Sequence, residues 1–260
     1  MLARIAKRVA FEFKYLPARI IDGTLSLLSN EYKYRHGMID MDASLKNMRQ
    51  NGFRPGSVID VGAYQGLWAE AARRIYPDVP ILMIEANRDK ESVLASMTKK
   101  LGGMADYRIA LLGADCTSSV PYYVMGTGSS VLPETTAMPR SVIDLDMTTL
   151  DEITSDQMLP TPYFIKLDVQ GYELEVLRGA ERLLKSTEVL MLEVALMEYN
   201  QGAPLLADVV AFMQSRGFVA YDIAGFYRRV SDDALFMVDI LFALENSALR
   251  AKKPFWNETS

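Results

Sequence analysis

The 260-residue sequence has one cysteine, Cys116, and one histidine, His36. With a single thiol, no intrachain disulfide can form and no cysteine-based zinc cluster can be assembled, a usage that fits a reducing cytoplasm. No run approaches the ~18–20 consecutive apolar residues needed to span a bilayer. Arg4, Lys7, Arg8, Lys14 and Arg19 interrupt the apolar residues at the start of the chain instead of preceding them. No signal-peptide core is formed, and a cytoplasmic protein is expected. A basic surplus is also missing. The net charge of -5 argues against a nucleic-acid partner bound by phosphate neutralisation. There is no internal repeat.

Half of the residues are apolar and 23% are charged, the balance of a globular chain. The length suits one large domain with an N-terminal extension. In that extension Leu2, Ile5, Val9, Phe13, Leu16 and Ile20 recur at helical spacing, with the basic residues elsewhere and Pro17 as a kink. Such a helix is expected to pack on the domain or on a second subunit, giving a homodimer. The competing reading is a basic amphipathic helix on an anionic membrane. The expected division is a helical extension over 1–54 (lid, dimer or packing segment), one domain over 55–250, and a polar tail over 251–260.

From residue 57 the pattern becomes short β-branched runs separated by helical stretches. Strands are expected over 57–61, 81–85, 107–111, 163–168, 189–194, 219–223 and 236–244. Helices are expected over 68–75, 90–101, 173–184 and 205–216. This alternation argues for βαβ units and a parallel sheet covered on both faces. Residues 122–139 contain Gly126, Gly128, Ser129, Ser130, Pro133 and Pro139, and read as a long loop after a strand near 120–125. Long loops in compact domains are commonly functional.

The first strand ends in Asp60-Val61-Gly62-Ala63-Tyr64-Gln65-Gly66 and runs directly into a helix. Gly62 permits a sharp turn and Gly66 a close approach at the helix start, as in a cofactor loop. The dinucleotide fingerprint G-x-G-x-x-G is absent: with Gly62 as the middle glycine, Asp60 and Gln65 stand where its first and third belong. A pyrophosphate would meet an acid there, whereas a cationic sulfonium would not be repelled. The second strand ends in Glu85, placed to accept both ribose hydroxyls of an adenosine, with Ala86 and Asn87 beside the adenine. The third notable segment is 163–180, whose strand delivers Asp168 to the carboxyl end of the sheet and whose Gly171 releases the chain into a helix.

The run Asp168-Val169-Gln170-Gly171-Tyr172-Glu173-Leu174-Glu175-Val176-Leu177-Arg178-Gly179-Ala180, with the loop from Asp60 to Gly66, resembles the FkbM family of methyltransferases. The similarity extends over roughly 55–245. The resemblance implies a Rossmann-like class I methyltransferase fold in the α/β class, a mostly parallel seven-stranded sheet with an antiparallel edge strand. It implies S-adenosylmethionine as cofactor and methyl transfer to a hydroxyl of a sugar, glycan or natural product. Carried onto this sequence, it implies that Gly62, Ala63 and Gly66 hold the methionine part, Glu85 the ribose and Ala110 the adenine, with Asp60 and Asp168 alongside. The family commonly has Glu where this chain has Gln170, and a small residue where it has Tyr172. Gln170 can hydrogen-bond but cannot serve as a base.

Methyl transfer to an alcohol is an in-line displacement that needs alignment, exclusion of water, and a base for a weak nucleophile. The candidates for that base are Asp168, Glu193 and His36. Tyr64, Gln65, Ser129, Ser130, Gln170 and Tyr172 are expected to contact the acceptor. Asp144, Asp146, Asp168 and Glu193 carry oxygen ligands of the kind magnesium prefers, but no spacing is diagnostic and no metal is expected. Two other readings stand beside this one: a nucleotide-dependent enzyme on a related fold, and a non-catalytic scaffold that retains the cofactor fold.

Overall fold

The computed structural model describes residues 39–136 and 138–251. The expected first helix with its dimer and membrane roles, His36, and the tail beyond Ala251 lie outside the described residues. Among the described residues, no helix is long and apolar enough to cross a membrane.

The chain enters through α1 (Met41–Gln50), started by Asp40, whose carboxylate accepts from Ala43 N at 3.0 Å. It then runs through β1 (Ser57–Val61), α2 (Leu67–Ile75), β2 (Ile81–Glu85), α3 (Glu91–Leu101) and β3 (Ala105–Ile109). After β4 (Leu111–Leu112), β5 (Thr117–Val124), β6 (Ser141–Thr148) and α4 (Leu150–Ile153) come β7 (Tyr163–Leu167), α5 (Glu173–Arg178) and α6 (Glu181–Leu184). β8 (Thr187–Ala195), α7 (Leu206–Ser215), β9 (Phe218–Arg228) and β10 (Leu235–Leu244) follow. The main sheet has seven strands in the order β3-β2-β1-β7-β8-β10-β9. From β3 to β8 all pairings are parallel.

β1, β2 and β7 are buried at every position because both faces of the sheet are covered. Alternate residues feed opposite cores. Ile59, Val61, Leu82, Ile84, Ile165 and Leu167 join one, while Val58, Ile81, Met83 and Phe164 join the other. Leu45 and Met48 of α1 are fully buried in the second core, so this part of the expected extension packs on the domain.

β10 runs antiparallel to both its neighbours and lies one strand in from the edge, which β9 occupies. The expected antiparallel edge strand is therefore the penultimate strand. Residues 238–243 are buried throughout, so β10 needs cover on both sides, whereas β9 keeps exposed positions along its length and suits an edge. Two further departures come from long-range contacts. The expected helix over 173–184 breaks at Gly179, where a Cβ would lie 2.1 Å from the carbonyl oxygen of Gly113. The expected third strand divides: Leu111 and Leu112 leave β3 to pair with β6, in a second sheet of order β4-β6-β5. β6 was not expected, although Ile143, Leu145 and Met147 alternate with Asp144, Asp146 and Thr148 as a half-covered strand should. Leu111, Tyr122 and Met147 form the core of this small sheet, against which Ala86, Val131 and Tyr172 pack.

Candidate cofactor and acceptor site

At the carboxyl end of β1 the chain turns through Gly62 at φ +72°, and a Cβ there would lie 1.8 Å from the carbonyl oxygen of Asp168. Gly62 N and Ala63 N both donate to the carbonyl of Ile84, at 2.9 and 3.0 Å. Gly66 N closes the turn on Ala63 O at 2.7 Å and starts α2. Tyr64, at φ +48°, donates its N–H to Glu85 Oε2 at 2.8 Å, and Asn87 N donates to Glu85 Oε1 at the same distance. One buried carboxylate thus ties the loop after β1 to the loop after β2. Burial pushes the Glu85 carboxyl up, and the two N–H donors oppose that shift.

The register of β1 against β7 sets Asp60 beside Lys166. Both are buried. Lys166 Nζ lies 3.3 Å from Asp60 Oδ1 and 3.4 Å from Asp168 Oδ2, and donates to Gly62 O at 3.2 Å. Neither Asp60 oxygen has an aligned hydrogen bond, so the contact to Lys166 is charge pairing. Burial raises the Asp60 carboxyl and Lys166 pulls it down. Burial acts to lower the Lys166 ammonium, but the carboxylates of Asp168 and Asp60 outweigh it and hold the proton.

The turn after Asp168 is held from both sides. Glu173 Oε1 accepts from Val169 N at 3.0 Å and Gly171 N at 3.2 Å, while Ser130 Oγ and Asn200 Nδ2 donate to the Gln170 carbonyl at 2.9 and 2.7 Å. Gln170, at φ +55°, is thereby positioned so that its Nε2 donates to Asp168 Oδ1 at 2.9 Å and Glu193 Oε2 at 2.6 Å. An amide can bridge two carboxylates in this way; a third carboxylate in its place could not. Glu193 is raised well above the ordinary range by burial and by the neighbouring Asp168, Glu173 and Asp239. Asp239, facing Glu193 across β8 and β10, accepts from Tyr227 OH at 3.1 Å and is pushed up to about 6, chiefly by burial.

Burial also pushes Glu173 up to about 7. A folded-state value above the unfolded 4.5 favours folding below that pH, and the advantage is lost as pH rises through about 7. Thermal stability is therefore expected to fall between pH 5 and about pH 8. Glu173→Gln should flatten that fall by up to a few kcal/mol. Melting curves across the range check this, and an unchanged slope in the variant would remove Glu173 as its source.

These elements enclose a cavity of about 220 Å³ at the carboxyl ends of β1, β2 and β7. Its wall brings together Gly62, Ala63, Tyr64 and Gln65 of the first loop, Glu85 and Ala86, Ala110, Ser129 and Ser130, and Asp168 and Tyr172. Asp60, Gly66 and Asn87 stand behind the wall, where they support it. Gln170 and Glu193 line a small adjoining cleft with Tyr199 and Asn200. Lys166, Tyr122 and Trp68 also face the cavity and were not singled out from sequence. For Lys166 a signal existed: a lone charge inside the otherwise apolar strand Tyr163-Phe164-Ile165-Lys166-Leu167. Among the described residues, no group of three or more His, Cys, Asp or Glu side chains is placed to hold a metal ion.

The Methyltransferase FkbM domain matches residues 60–220, which contain nearly all of this constellation. The chain belongs to the FkbM methyltransferase family. No curated protein matches it significantly. Solved structures similar to it include a precorrin-6y C5,15-methyltransferase from Geobacter metallireducens, at 14% identity and TM-score 0.45, covering 78% of this chain and 88% of that one. A magnesium protoporphyrin IX methyltransferase from Synechocystis with bound S-adenosylmethionine is 11% identical at TM-score 0.47, covering 78% and 77%. An O-methyltransferase from neocarzinostatin biosynthesis, in complex with S-adenosylhomocysteine and 1,4-dihydroxy-2-naphthoic acid, is 11% identical at TM-score 0.39, covering 78% and 56%. No acceptor for this chain follows from them.

As an FkbM domain the chain is an S-adenosylmethionine-dependent methyltransferase, and its cavity fits that cofactor. Glu85 is a buried carboxylate with two of its acceptor positions taken by backbone N–H groups, leaving others for ribose hydroxyls. Ala110, Leu111, Leu112 and Tyr122 offer an apolar wall of the kind an adenine requires.

Proposed function

We propose that the enzyme transfers a methyl group to a hydroxyl oxygen of a sugar, glycan or natural-product acceptor. The observation that carries this reading is Asp168: its carboxylate lies on the cavity wall, about one-third exposed, and is gripped by Lys166 on one oxygen and Gln170 on the other. S-adenosylmethionine supplies a methyl carbon activated by its sulfonium. The chain's part is to align the acceptor oxygen, exclude water and remove the proton. Asp168 takes that proton. Glu193, raised well above the ordinary carboxylate range by burial and its acidic neighbours, stands behind Gln170, whose amide separates it from Asp168. Glu85 holds the ribose, the loop from Gly62 to Gly66 the methionine part, and Ala86 and Ala110 border the adenine, with Asn87 supporting them from behind the wall. Tyr64, Gln65, Ser129, Ser130 and Tyr172 receive the acceptor, whose hydroxyls suit their amide and hydroxyl groups. The single exposed thiol, Cys116, suits a cytoplasmic setting.

Incubation with methyl-labelled cofactor and a panel of glycosides, phenols and polyketide alcohols tests the reading by mass spectrometry. A labelled methyl ether is expected. Asp168→Asn should lower its rate by about 10²–10⁴-fold while the melting temperature is kept. Transfer to nitrogen or carbon alone would overturn the oxygen-directed reading, and full activity in the variant would move the base elsewhere.

A further inference from the structure

The ammonium of Lys166 has three N–H donors and meets three oxygens: Gly62 O at 3.2 Å, Asp60 Oδ1 at 3.3 Å and Asp168 Oδ2 at 3.4 Å. Two carboxylates share one cation, so with both ionised the trio carries one net negative charge. The members differ in position. Lys166 and Asp168 face the cavity, whereas Asp60 is fully buried behind it and touches no space a ligand can occupy. Removing Asp60 would leave Lys166 and Asp168 as a balanced pair. With Asp60 present, part of the Lys166 charge is drawn away from the cavity and Asp168 faces it under-compensated.

We propose that Asp60, acting through Lys166, sets the preference of the cavity for the cationic sulfonium of S-adenosylmethionine over the neutral thioether of S-adenosylhomocysteine. Asp60 is a positioning residue in this role, and the inference rests on S-adenosylmethionine being the cofactor. In an interior of low effective dielectric a unit charge acts over many ångströms, so the preference needs no direct contact. The other charged group on the wall, Glu85, and the groups behind Gln170, Glu193 and Asp239, are common to both ligands. A product that has lost its positive charge is then held less tightly than the substrate, which favours its release.

Calorimetric titration of the full chain with both ligands tests this. In Asp60→Asn, which keeps shape and removes one negative charge, the affinity ratio of S-adenosylmethionine to S-adenosylhomocysteine should fall by about tenfold, with S-adenosylhomocysteine affinity little changed. In the double variant Asp60→Asn with Lys166→Gln, the trio again carries one negative charge through Asp168, and the ratio should return to the wild-type value. A purely structural role for Asp60 would weaken both ligands together and leave the ratio where it was, which overturns the proposal. A ratio unchanged because buried Asp60 already carries a proton overturns it equally. Where Asp60→Asn fails to fold, Asp60→Ser, smaller and still able to accept from Lys166, takes its place with the same expected fall in the ratio, and an unchanged ratio there overturns the proposal. If the wild type binds neither ligand, the cofactor assignment itself fails, an outcome distinct from binding with an unaltered ratio.

Discussion

Gly62→Ala should abolish measurable cofactor binding and lower stability by about 2–4 kcal/mol. Two effects add. A non-glycine residue at φ +72° carries a backbone penalty of about 1–2 kcal/mol. The new Cβ would also lie 1.8 Å from the carbonyl oxygen of Asp168, a backbone atom at the end of a fully buried strand that cannot swing aside as a side chain would. Either β1 or β7 has to shift, and the shift moves Asp168 and the N–H groups of Gly62 and Ala63 together. Gly217→Ala is the control, because it has a comparable φ of +78° with nothing within 4 Å of the added Cβ. Melting temperature and calorimetric affinity should show a small loss of stability with intact binding for Gly217→Ala, and loss of both for Gly62→Ala. Wild-type affinity in the latter would mean that the loop is not the cradle.

Glu85→Ala should weaken S-adenosylhomocysteine binding by about 10²-fold or more. Charge-assisted hydrogen bonds contribute about 1.5–3 kcal/mol each, and the proposed ribose contacts would remove two. The substitution also leaves the N–H groups of Tyr64 and Asn87 without the carboxylate that holds the two loops, so a drop in melting temperature accompanies it. A ligand-side comparison separates the two effects. The 2′,3′-dideoxy analogue should bind the wild type far more weakly than the parent ligand, and the two should bind Glu85→Ala almost equally. If the wild type does not distinguish them, Glu85 organises the loops without touching the ribose.

Much of the fold was legible because its signals are local. β1, β2 and β7 are predominantly apolar runs bounded by turns, and their observed limits differ from the expected ones by a residue at most. The turn after β1 was legible for the same reason: only glycine accommodates the conformation at Gly62, and its neighbours in sequence are its neighbours in space. Glu85 and Asp168 were placed by a general rule, that strand ends on one side of a parallel sheet converge. Gln170 was read as a departure able only to hydrogen-bond; the structure adds what it bonds to, the carboxylates of Asp168 and Glu193.

By itself, the sequence determined the alternation of strands and helices, the glycine turn after β1, and the acidic residues at the strand ends, since each depends on spacing within a few residues. Tertiary structure alone decided the rest. The small second sheet, the break at Gly179 and the inward place of β10 come from contacts between segments far apart in the chain. So does the pairing of Asp60 with Lys166, which depends on the register of β1 against β7. A lysine in a buried strand reads as an anomaly until strand order supplies the two carboxylates that make its burial tolerable, because the cost of burying a charge is set by partners that local sequence does not name.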